Sequence, residues 1–169
     1  MTQSNVSIFN LENISDYLVF CEKAIVELEA DESNVLRGFS AILAINHIPD
    51  WIKHKLTPKQ RELLHLPPNV DDEHADLRAI QTYFEEKFSP LKIIRSISNG
   101  FKHLRIKEQT AKTGYGCAYG LSYGKAQLYI NKANAEDEAD WIGLLPLSQQ
   151  SLAYWKTELS LVLETSANA

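Results

Sequence analysis

The apolar residues Ile14, Leu18, Cys21, Ile25 and Leu28 recur at alternating gaps of four and three. That spacing lines side chains along one face of an α-helix, and a strand, with its period of two, cannot use it. The same kind of stripe returns along the chain. Asn34 can cap a second helix with Val35, Leu36, Phe39, Ile42 and Leu43 inward. In "TPKQRELLHL", Thr57 serves as N-cap, Pro58 fits the first helical position and Gln60 completes a capping box for a short third helix. Leu77, Ile80, Phe84 and Phe88 mark a fourth, and Ser89-Pro90 opens a fifth with Leu91, Ile94, Ile97, Phe101 and Leu104 on one face. "LSQQSLAYWKTELSLVL" closes the series, with Leu152, Trp155, Leu159 and Val162 or Leu163 as its stripe.

Only the segment before that last helix breaks the pattern. "TGYGCAYGLSYGK" sets Tyr-Gly pairs every four residues, a spacing that does not fit a phosphate-binding GxGxxG loop. "AQLYIN" and "DWIGLL" read as a hairpin. The expected fold is therefore mainly α: a bundle of about five to six helices with a small β hairpin and Gly-rich insertion, about residues 108–145, before the C-terminal helix. "PPNVDDEH" is too short to divide domains, so residues 1–169 read as a single domain.

No apolar run approaches the roughly 18 residues that span a bilayer, and "MTQSNVSIFN" lacks the basic and apolar regions of a secretory signal. The expected location is cytoplasmic, with no membrane partner. Cys21 and Cys117 lack CxxC spacing, which leaves them reduced or paired and makes a cysteine zinc site improbable. A net charge of −5 disfavours nucleic-acid binding by the whole surface.

Two stretches depart from this plain composition. In "NHIPDWIKH" the inward stripe of the second helix continues into Asn46 and Asp50, flanked by His47 and His54, and Pro49 must kink the helix or start a new one. Polar groups on a buried stripe have to be paired, since an unpaired one costs roughly 1–3 kcal/mol. His47 and Asp50 suit a structural pair or a tautomer-fixing one. His47, Asp50 and His54 also fall at i, i+3 and i+7, but Pro49 interrupts that geometry and HExxH is absent, so neither metal nor other cofactor is expected.

The second stretch is "SNGFKHLRIK". Between Ser89 and Lys107 there are five Lys or Arg and no Asp or Glu. Arg95, Asn99 and His103 follow one another at gaps of four, with Lys92 and Lys102 beside them, opposite the apolar face. Such a face is either simply solvated or attracts an anion such as phosphate. Gly100 inside the helix costs roughly 1 kcal/mol relative to alanine and suggests close approach of a backbone or ligand.

"NHIPDW" followed by "NGFKHL" resembles a group of bacterial helical proteins that share His-x-x-Asp-Trp and Asn-x-x-Lys-His stretches. That group is in turn similar to the HEPN superfamily of helical bundles, many of them metal-independent RNases of toxin–antitoxin and phage-defence systems. The resemblance implies a helical fold and a homodimer. The superfamily's nuclease motif, an arginine and a histidine separated by four to six residues, is not met: Arg61 and His65 have three residues between them, and Arg95 and His103 have seven.

Two functions follow as expectations. One is a non-catalytic or degenerate HEPN-like domain that uses the basic helix face to bind RNA, another phosphate-bearing ligand or a protein partner. The alternative is a metal-independent RNase. There His103 would act as general acid or base, Arg95 and Lys102 would stabilise the phosphate, Asn99 would orient the substrate or the histidine, and Asp50 would fix the tautomer of His47.

Overall fold

The computed structural model describes residues 11–67, 72–103, 111–115, 126–131 and 141–167. In chain order the elements are α1 (Ile14–Ala30), α2 (Val35–Asn46), α3 (Ile48–Lys55), α4 (Pro58–Leu63), α5 (Glu73–Lys87), α6 (Pro90–His103), β1 (Ala111–Tyr115), β2 (Ala126–Asn131), β3 (Trp141–Gly143) and α7 (Leu144–Ala167). The fold is a helical bundle with a small β insertion before the last helix.

Four helices, α1, α2, α4 and α5, begin where a side chain supplies the cap. Asn13 accepts from Asp16 N–H while the Asp16 carboxylate accepts from Asn13 N–H, a reciprocal box that starts α1. Asn34 caps α2, Thr57 and Gln60 box the start of α4, and Asp72 accepts from the amides of His74 and Ala75 to start α5. The α1 stripe is buried at all five positions expected of it, and it packs on α2 and α7. Ile42, Ile45, Ile48, Ile52, Ile80, Phe84, Ile94, Ile97, Trp155 and Leu159 complete the centre.

The structure corrects several sequence expectations. Val35 and Leu36 point outward, 56% and 76% exposed, because the buried face of α2 runs through Gly38, Ala41, Ile42 and Ile45. The stripe of α5 enters the core through Asp76, which is buried, while Leu77 is only half-buried. Of the two outcomes that Pro49 allows across "NHIPDW", the start of a new helix is the one found. His47 adopts φ −91° and ψ 0° as the last cap of α2 and the first of α3, and Pro49 sits in the first turn of α3, where its missing N–H is no loss.

The insertion is an antiparallel sheet in the order β1-β2-β3. Ala111 lies opposite Ile130, and Ile130 opposite Ile142, so the expected β2–β3 hairpin gains a strand on its other side. The strand within "DWIGLL" stops at Gly143, and α7 starts at once with Leu144. A Cβ at residue 143 would lie 3.1 Å from the Pro146 ring, which is why glycine occupies this sharp strand-to-helix turn. No helix among the described residues is long and apolar enough to cross a membrane.

Candidate functional site

The core-facing residues Leu91, Ile94 and Ile97 fix the rotation of α6. With those buried, Lys92 and Asn99 are turned to solvent and Arg95 to the flank, towards α5. Arg95 does not reach out from there. Its Nε lies 2.8 Å from Glu85 Oε1, its Nη2 donates to Glu85 Oε2 at 2.8 Å, and its Nη1 donates to Gln81 Oε1 at 3.4 Å. A planar guanidinium matched to both oxygens of a carboxylate is the strongest geometry available to such a pair. Burial pushes the Glu85 carboxyl above its ordinary range, and the charges of Arg95 and then Lys92 offset part of that rise. The cation that sequence reasoning placed on a phosphate is held by a carboxylate ten residues earlier in the chain, on another helix.

Beside this pair is a narrow crevice of about 20 Å³, lined by Asn46, Gln81, Glu85, Arg95 and Trp155 among others. Asn46 borders it from the end of α2, together with Ile45, Leu91 and Ile94, and most of the surface it opens on is apolar.

His47 and Asp50 make a separate pair. His47 Nδ1 and Asp50 Oδ2 are 3.2 Å apart, with the two side chains 42% and 36% exposed. The expected inward position of Asp50 is therefore corrected to a half-exposed one, because the break at His47 rotates α3 relative to the α2 stripe. When Nδ1 carries the proton it donates to the carboxylate and leaves Nε2 as the acceptor. The next residue, Trp51, stacks on Tyr17 of α1 at 4.7 Å, and Lys55 lies over the indole. The Tyr17 hydroxyl donates to Ala44 O at 2.9 Å. Burial above all raises the Tyr17 phenol above its ordinary range. Among the described residues no hydrogen bond or ion pair joins His47 or Asp50 to Arg95 or Asn99.

Lys102 and His103 are the last two residues of α6, and their side chains lie outside the described part of the structure. By helical register positions 92, 96, 99 and 103 succeed one another along one face. His54 is exposed, and among the described residues no group of three or more His, Cys, Asp or Glu is arranged to hold a metal ion. Burial pushes the Cys21 thiol up to about 12, which keeps it protonated and unreactive at neutral pH.

Sequence reasoning missed the most deeply buried charges. Arg61 Nη2 donates to Asp76 Oδ1 at 2.8 Å and Nη1 to Oδ2 at 3.3 Å, with side chains 10% and 2% exposed. Nη2 also donates to Pro67 O at 3.4 Å, so one guanidinium fastens α4 to α5 and to the chain leaving α4. Next to it, His65 has φ 53°. Leu66 N–H donates to Arg61 O and His65 N–H to Glu62 O, the paired bonds of a Schellman ending, whose left-handed position usually holds glycine. A short helix ending without glycine was the one available signal.

Comparison with protein-family models, with curated proteins and with solved structures gave no match to this chain.

Proposed function

We propose that this chain is a non-catalytic helical domain that holds a phosphate-bearing ligand such as RNA on the outer face of α6. In this reading it is a degenerate relative of the HEPN-like bundles it resembles. The observation that carries it is the division of labour along α6. Arg95 is taken up by Glu85 and Gln81, whereas Lys92 and Asn99 are exposed and, among the described residues, their side chains make no hydrogen bond or ion pair. An exposed cation and amide at helical spacing suit a ligand that lies along the helix, and the crevice beside Arg95 is far too small to admit a nucleotide. The competing RNase reading requires Arg95 to leave a two-point carboxylate pair before it can touch a phosphate.

The test is fluorescence anisotropy of a labelled single-stranded RNA across a salt series. Binding should weaken linearly in log–log form, and Lys92→Ala should reduce the magnitude of the slope by about 0.7, the contribution of one phosphate contact on a single strand. An unchanged slope in that variant, or no binding at low salt, would remove α6 as the binding face.

A further inference from the structure

His65, just past the end of α4, sits at φ 53°, a left-handed position that glycine holds without strain. The residue is exposed, so no packing in the core compensates for that conformation. Residues kept in such backbone regions cluster at functional sites. His65 borders an open groove of about 460 Å³ between the end of α4 and α5, a volume within the ordinary range of small-ligand sites. Pro67 lies on the same wall, and Arg78, Thr82 and Glu86 form a row at gaps of four along α5. Side-chain bonds fix the spacing of the two walls. The Tyr83 hydroxyl of α5 donates to Leu64 O at 3.0 Å, and the Arg61 guanidinium joins Pro67 O to Asp76 of α5. The buried Arg61–Asp76 pair thus sets the width of this groove as well as fastening two helices.

We propose that this groove binds a small phosphomonoester of sugar-phosphate size, with the phosphate at the His65–Arg78 end and the ligand's hydroxyl groups towards Glu86. Arg78 Nε donates to His74 O at 3.2 Å, which lays the arm along α5 and leaves the Nη1–Nη2 fork to meet an oxyanion at two points. The Thr82 hydroxyl, one turn on, and an imidazole N–H of His65 from the facing wall add two donors. Donors that approach from two walls match a tetrahedral oxyanion better than a planar carboxylate. Glu86 lies about 12 Å further along α5 than Arg78 by the helical rise. An acceptor-only carboxylate there repels a second anion and accepts hydroxyl groups, so the two ends of the groove differ in sign. Pro67 and Ala79 give the stretch between them an apolar wall, which suits the C–H face of a sugar. Glycine at residue 65 would relieve the backbone but supply no donor, which accounts for the histidine. Among the described residues none of α6 borders the groove, so this site is independent of the RNA-binding reading.

The experiment is an amide NMR titration of the full chain with ribose-5-phosphate at constant ionic strength, with ribose as the control. The expected result is saturable shifts at His65, Arg78, Thr82 and Glu86 with the phosphate ester and none with ribose. Arg78→Gln should weaken binding about tenfold, the loss of a charge-assisted contact. His65→Gly should weaken it several-fold while raising the urea midpoint, a combination that a purely structural histidine would not give. Both side chains are exposed, so both variants should keep the amide dispersion of the parent. Shifts confined to α6, an equal response to ribose, no saturation, or a His65→Gly variant that binds as tightly as the parent would overturn the proposal.

Discussion

Arg95 on α6 and Glu85 on α5 meet at two points, with two guanidinium nitrogens each 2.8 Å from a different carboxylate oxygen. The pair joins two neighbouring helices and removes one positive charge from the most basic segment of an acidic chain. It therefore sets how much charge the α6 face can offer a ligand.

Glu85→Gln keeps the side-chain shape and removes the charge. Arg95 then stands as a net cation beside Lys92, so RNA should bind several-fold more tightly, and the salt slope should steepen by about 0.7. Anisotropy titration of the variant checks this. Unchanged affinity would mean that the Arg95 charge is not felt on the outer face of α6.

The Arg61–Asp76 pair is buried on both sides. Removing one partner leaves an uncompensated charge in the interior, so Arg61→Leu or Asp76→Leu alone should cost about 3–5 kcal/mol in urea unfolding. The double replacement should cost less than the sum of the two. Additive losses would show that the two side chains do not depend on each other.

His65 holds a left-handed conformation that disfavours a Cβ by roughly 1–2 kcal/mol. His65→Gly should raise stability by about 0.5–1 kcal/mol, and the β-branched His65→Val should lower it by at least as much. Urea midpoints with unchanged m-values are the readout. A destabilised glycine variant would point to a contact of the imidazole that outweighs the backbone strain.

The Asp72 carboxylate is held below its ordinary range, first by the Ala75 amide and then by the His74 amide. A depressed carboxyl stabilises the fold above its unfolded value near pH 3.9, and that contribution fades as pH falls through the lower folded value. Asp72→Asn retains a cap of similar strength but cannot titrate. Thermal unfolding between pH 2 and 6 should show a shallower acid decline in the variant. Parallel curves would assign the acid sensitivity to other carboxylates.

The legible parts of this molecule are the ones that depend on neighbours in sequence. The α1 stripe, the Thr57–Gln60 box and the β2–β3 hairpin rest on spacings of two to four residues or on an adjacent turn, and the structure has all of them. Partnership across helices was not legible. A helical wheel drawn for α6 shows that Arg95 leaves the core face, but only packing against α5 supplies Glu85, ten residues earlier in the chain. Asp76 escaped notice for the same reason: a carboxylate in the first turn of a helix reads as a solvated residue favoured by the helix dipole, until Arg61 is brought over it. His47 and Asp50 were legible as a local pair, and their half-exposed position followed from how Pro49 resolves the helix break, which the sequence allowed in two ways.

The most direct measurement is a time course of end-labelled single-stranded RNA with purified protein, read for binding and for cleavage in one sample, with and without EDTA. The account predicts a salt-sensitive complex in which the RNA stays intact for hours, identically in His103→Ala. RNA fragments that accumulate in the presence of EDTA and vanish in His103→Ala would contradict it and establish the catalytic reading instead.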